Sequence, residues 1–154
     1  MHFSFDHFYF DEPASSDNYL PQLLKAMILE LDYVVPEKFR SNYEDLQDRV
    51  RQAVDNYAPN NKDEHKELLD LEDELVTALN DNAPPYLIFS LNSVGRWGWQ
   101  IDEWALECAN VLRVSDLSQV DEDYRGEVIL VNDHGNTSLF VKDEEGFKEI
   151  WAAV

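Results

Sequence analysis

A chain of 154 residues, 44% hydrophobic and 12% aromatic, fits a single domain over residues 1–154 with its own core, and that content excludes a disordered chain. Thirty-two acidic against twelve basic residues give a net charge of −20, which repels nucleic acid and anionic membranes and leaves basic protein surfaces as natural partners. A lone cysteine, Cys108, excludes an internal disulfide and points to the cytosol, no apolar run approaches the roughly 20 residues of a membrane span, and the N-terminal residues lack the pattern of a signal peptide.

Residues 2–10 alternate well enough for a strand, with Phe3, Phe5, His7 and Tyr9 on one face and Phe8 and Phe10 on the other. A helix opens at Ser16 or Asp17, carries Leu20, Leu23, Leu24, Met27, Ile28 and Leu31 as its apolar stripe, and stops by Val35 at Pro36. Ser41 and Glu44 have capping-box spacing for a second helix that turns Tyr43, Leu46, Val50, Ala53, Val54 and Tyr57 inward. A third helix, from Lys62 to Asn82, buries Leu68, Leu71, Leu75, Val76 and Leu79 and is ended by Pro84-Pro85, because proline lacks a donor and clashes with the preceding turn. Tyr86–Leu91 reads as a buried strand, and Asn92-Ser93 turns it into Val94–Ile101, where Trp97, Trp99 and Ile101 share a face. Asp102 caps a fourth helix that buries Trp104, Ala105, Cys108 and Leu112. After an acidic loop, Ser115–Arg125, three β-rich runs between Gly126 and Val154 are joined by two turns containing Gly135 and Gly146, where the backbone calls for φ > 0. The sum is an α+β protein: a helical N-terminal half packed on a mainly antiparallel sheet that ends in a C-terminal β-meander.

Two segments taken together, Asn82-Ala-Pro-Pro-Tyr-Leu-Ile-Phe with Gly95-Arg-Trp-Gly-Trp, and Leu130-Val-Asn-Asp-His-Gly-Asn-Thr-Ser-Leu-Phe with Glu149-Ile-Trp, resemble a group of short uncharacterised phage and prophage proteins. Those proteins carry an Ala-Pro-Pro-Tyr element and a Val-Asn-Asp-His-Gly-Asn hairpin in that order. In the group the segment after the tyrosine is longer and richer in glycine and aspartate, and here it is contracted to Ser90-Leu-Asn-Ser-Val. The resemblance implies no activity, but it does imply a phage setting, in which small acidic proteins often inhibit host defence.

The residues disclose no reaction, and the chain is read as a binding protein with no cofactor, no metal and no catalytic residue. His2 and His7 point to opposite faces of a strand, and His65 lacks the helical two-histidine zinc pattern. His134, between Asp133 and Gly135, can be imagined as a general base, but Asn, Asp and Gly around it are turn formers. Asp121-Glu-Asp-Tyr-Arg-Gly126 begins like an EF-hand loop, yet Arg125 and Asn132 stand where calcium needs oxygen donors and a bidentate acid. Cys108 reads as a core thiol, and Trp97 and Trp99, which could stack a base or sugar, as core or core edge.

Charge pattern says more. Asp63, Glu67, Asp70, Glu74 and Asp81 recur at helical spacing along the third helix, with Thr77 in the missing place, about 100° from the leucine stripe. Residues 62–82 hold eight acids and two bases, residues 102–127 hold the same, and residues 37–61 are nearly balanced. These residues, with Asp121, Glu122 and Asp123 of the acidic loop, are the expected partner-binding surface. The expected function is a nucleic-acid-mimicking inhibitor of anti-CRISPR or anti-restriction type, acting in the host cytoplasm. Its partner would be the basic groove of a host nucleic-acid-binding effector, with no direct contact to nucleic acid or membrane, and a homodimer is a further expectation. The competing readings are an immunity or accessory protein with an aromatic, shaped contact, an acidic surface that serves salt adaptation alone, and an enzyme centred on His134 with Asp133 or on the tryptophan strand.

Overall fold

A computed structural model describes residues 1–3 and 16–153. The expected strand positions at Phe5, His7, Phe8, Tyr9 and Phe10 lie outside the described residues. The chain is α+β and divides into two compact units, one helical (16–84 and 89–97 among the described residues) and one built on a sheet (1–3, 85–88 and 98–153).

The helical unit contains α1 (Tyr19–Val34), α2 (Glu44–Asn56) and α3 (Lys62–Asp81). Their apolar stripes meet: Leu23, Leu24, Met27 and Leu31 of α1, Val50 of α2, and Leu68, Leu75 and Leu79 of α3 are at most 1% exposed. Burying such side chains stabilises by about 1.5–3 kcal/mol each before conformational entropy is subtracted. On α3 the leucine stripe sinks with Ala78, whereas Val76 is half-buried at its edge. The start of α1 falls later than expected: Asn18 is its N-cap, and Ser16 accepts a hydrogen bond from the Asn18 N–H instead of opening the helix. The expected capping box at Ser41 and Glu44 does not form. Residues Glu37–Tyr43 wind into a 3-10 helix that runs directly into α2, so the first N–H groups of α2 follow a continuing turn rather than a side-chain cap.

The sheet unit has five strands in the order β1 (His2–Phe3), β7 (Gly146–Ala153), β6 (Thr137–Asp143), β5 (Gly126–Val131), β4 (Leu112–Val114). The meander β5–β6–β7 is antiparallel, as the turns predict, while β1 joins β7 and β4 joins β5 in parallel. Pairing of Leu139 with Trp151 but Phe140 with Glu149 leaves Ile150 as a bulge. Val128, Ile129, Leu139 and Trp151 are fully buried, and neighbours Val128 and Ile129 point to opposite faces, so β5 is covered on both. Trp151 donates its indole N–H to the carbonyl of Pro85 at 2.8 Å, and the Tyr86 hydroxyl donates to the Glu127 carboxylate. Tyr86 holds this position with φ at 62°, a left-handed backbone that is uncommon for an aromatic residue. Pro85 and Tyr86 are thereby held to the sheet of their own unit.

The fourth helix, α4 (Glu103–Ala109), corrects an expectation. It buries Leu106 alone, while Trp104 is 74% exposed and Cys108 is exposed too. Four-residue spacing sets Trp104 and Cys108 on one face of the helix, and that face is the outer one. Leu112 is not on the helix at all: Asn110 in the left-handed conformation closes α4, and Leu112 begins β4. The remaining two strands, β2 (Leu87–Leu91) and β3 (Trp97–Ile101), form a small hairpin of their own, through which the boundary of the units passes. The exposed Ile88 between buried Leu87 and Phe89 shows alternation instead of the fully buried strand expected there.

Candidate partner-binding surface

The acidic stripe rides on α3, so its geometry begins with that helix. Asn61 caps α3, its side-chain oxygen accepting from the N–H of Asp63 (3.1 Å) and of Glu64 (3.4 Å). Glu64 returns the contact from the amide of Asn61 (2.8 Å) and also accepts from the Ala58 N–H (2.6 Å). The far end is closed by asparagines: the Asn80 and Asn82 side-chain amides donate to the carbonyls of Val76 and Ala78. Asp63 lies where the helix dipole favours an acid, but Asp81 is the last helical residue, where it is opposed, and no base stands in that turn. An acid at that end does nothing for helix stability.

Asp63, Glu67, Asp70, Glu74 and Asp81 are all exposed, on a line that spans about 27 Å from first to last at 1.5 Å per residue. Among the described residues no cation lies within 4.0 Å of the carboxylates of Asp63, Glu67, Asp70 or Asp81. Glu74 differs. Arg49 of α2 places its two terminal nitrogens on the two Glu74 oxygens at 3.0 and 2.5 Å, and its Nε on Asp45 at 3.1 Å. The hydrogen bond from Arg49 holds the Glu74 carboxyl below its ordinary range, so it stays ionised. The stripe is therefore unpaired along Asp63, Glu67 and Asp70, neutralised at Glu74, and open again at Asp81. Beside it α2 and α3 enclose a groove of about 490 Å³, with Leu46, Ala78 and Tyr43 within and Asp45, Asp73 and Asp81 among its lining residues.

Asp121, Glu122 and Asp123 are also exposed, but they belong to the sheet unit, not to the helical one. The loop is shaped through its backbone. Lys142 donates to the carbonyls of Asp121 (2.6 Å) and Glu122 (3.2 Å), and Arg125 to those of Glu122 and Tyr124 (both 2.7 Å). Both nearby cations thus reach backbone oxygens rather than the three carboxylates.

The other candidates resolve into local structure. The Asn132 side chain accepts from the backbone N–H of His134 (2.9 Å) and of Asn136 (3.0 Å), with Gly135 at φ +83°, so His134 is an exposed turn residue. Asn92 does the same for Val94 and Arg96 around Gly95 at φ +78°. The two hairpin turns are one design, Asn-x-x-Gly-x, an equivalence readable from their sequences. Trp99 is buried, and Trp97 stacks on Phe89 (5.7 Å between centroids, planes at 4°) while donating to Glu72 at 2.7 Å, so both serve the core and its edge. Burial pushes the Glu72 carboxyl above its ordinary value, and the Trp97 hydrogen bond opposes that rise. No group of three or more His, Cys, Asp or Glu among the described residues is placed to hold a metal, and none of their helices is long and apolar enough to cross a membrane.

Arg49 and the exposed Trp104 are the two features of these surfaces that the sequence did not disclose. Set against known proteins, the chain matches no family model, no curated protein and no solved structure.

Proposed function

We propose that this protein is an inhibitor that imitates nucleic acid and occupies the basic groove of a host nucleic-acid-binding defence protein, of anti-CRISPR or anti-restriction type, in the host cytoplasm. The observation that carries the reading is the run of exposed carboxylates on α3 that no cation among the described residues neutralises at Asp63, Glu67, Asp70 and Asp81. Residues 62–82 carry eight acids and two bases, which over a helix about 30 Å long leaves one net charge per about 5 Å, against about 3.4 Å per phosphate along one DNA strand. That density supports competition for arginines and lysines that read phosphates, with association that is fast and weakened by salt. The test is double charge reversal, Glu67→Lys with Asp70→Lys, which touches no ion pair among the described residues. Glu74 is kept, because its reversal would also break the contact to Arg49. The variant is expected to keep its melting temperature and lose the partner recovered from host lysate; retention of that partner at wild-type affinity contradicts the proposal.

A second reading is favoured by Trp104. An aromatic ring 74% exposed is the kind of side chain that anchors protein interfaces, as an immunity or accessory protein would use it. Binding that Trp104→Ala abolishes and salt leaves unchanged would select this reading instead.

A further inference from the structure

The groove between α2 and α3 differs from a plain acidic face because it has an apolar floor and already holds a guanidinium at its edge. Leu46 and Ala78 are 8% and 5% exposed beneath it. Asp45, Asp73, Glu74 and Asp81 supply carboxylates around that floor. Arg49 is seated there in the two-pronged geometry that matches a planar guanidinium to a carboxylate, with Asp45 on its third nitrogen. Apolar floor and anionic rim together suit a long aliphatic stem that ends in a cation, the form of an arginine or lysine side chain. The volume, about 490 Å³, is of the size that takes such a chain with part of its neighbours.

We infer that this groove is a docking site for an arginine-bearing basic segment of the partner protein, and that Arg49 is the internal cation that fills its Asp45–Glu74 corner in the free protein. The inference rests on the acidic-surface reading above and deepens it by naming the partner chemistry and the subsite. A partner arginine would enter beside Arg49 along Asp73 and Asp81, or take its place on Glu74. Arg49 itself is 45% exposed and its pair lies at the surface, so its displacement carries a small cost. Taking an internal competitor away strengthens binding by more than the loss of one positive charge elsewhere on the same helix, such as Arg51, whereas loss of a purely structural residue would weaken binding or leave it unchanged.

The experiment uses the full chain and a fluorescein-labelled nona-arginine peptide, read by anisotropy at about 0.15 M salt. Thr77 is exposed on the groove wall, and Thr77→Trp fills the space without altering charge. It is expected to weaken the peptide by about tenfold. Asp73→Asn with Asp81→Asn, which adds no bulk, is expected to weaken it by about fivefold, and Arg49→Gln to tighten it by about threefold. Circular dichroism melts confirm that each variant folds, and the asparagine pair decides the matter if Thr77→Trp does not. Wild-type affinity in Thr77→Trp and in the asparagine pair overturns the groove; if Glu67→Lys with Asp70→Lys still abolishes binding, the acidic-surface reading survives that loss. Weaker or unchanged binding by Arg49→Gln overturns the competitor role, as does equal tightening by Arg51→Gln, and no binding by the wild type at that salt overturns both.

Discussion

Asn80 is the side chain that secures the acid-bearing helix to the first hairpin strand, and its removal has a calculable cost. Its amide donates to the carbonyls of Val76 at 3.1 Å and Phe89 at 3.0 Å, while its oxygen accepts from the Phe89 N–H at 2.8 Å. Phe89 is 1% exposed, so this exchange takes place away from water. Asn80→Ala removes three hydrogen bonds at about 0.5–1.5 kcal/mol each and recovers about 0.5 kcal/mol from the better helix propensity of alanine. The net loss is about 1–4 kcal/mol, which for a chain of this length lowers the melting temperature by roughly 3–12 °C. Asn80→Asp keeps the acceptor but turns a second oxygen toward two carbonyls, and should do no better at neutral pH. Thermal melts by circular dichroism, checked by urea titration, measure both variants. A change below about 0.5 kcal/mol, the size of an ordinary surface substitution, would refute the clamp.

Further outcomes follow from the cap, the half-buried acid and the exposed ring. Asn61→Ala removes the α3 N-cap and should cost about 1–2 kcal/mol by urea titration, with Asn61→Ser recovering most of it. Glu72 has its carboxyl raised by burial, so the folded state holds a proton more tightly than the unfolded one and stability falls as pH climbs from the ordinary glutamate value through the raised one. Glu72→Gln, which still accepts from Trp97, should therefore stabilise at neutral pH, lose that advantage below about pH 4, and flatten the pH profile of the melting temperature between them. Trp104→Ala should change stability by less than about 0.5 kcal/mol because the ring is 74% exposed, and under the charge-led reading it should leave partner affinity within about threefold.

What could be seen in the sequence is what periodicity and turn chemistry encode locally. The meander was legible because Gly135 and Gly146 supply the positive φ their turns require, and alternating apolar residues set the strands between them. The leucine stripe of α3 was legible over five turns, and with it the exposure of the acids about 100° away. β4 was missed because it has three residues and exists through parallel pairing of Leu112 with Val128, a partner far along the chain. Trp104 and Cys108 were placed inside because their spacing defines a helix face; on a helix of seven residues it does not say which face is covered, and Leu106 takes the buried side. Ser41 and Glu44 had cap spacing, but a 3-10 turn reached α2 first. The Arg49–Glu74 contact joins residues 25 apart on two helices, so nothing local announces it. It changes the candidate surface most, because it takes Glu74 out of the unpaired stripe.

The central claim is that exposed carboxylates on α3 make the contact. The most direct measurement is the dissociation constant of the partner captured from host lysate, for the wild type and for Glu67→Lys with Asp70→Lys, at about 0.05 and 0.5 M salt. The account predicts a wild-type affinity that falls by at least about tenfold across that range and a charge-reversed chain that melts normally but does not bind at either. Equal affinity of the two chains, unaffected by salt, would contradict it.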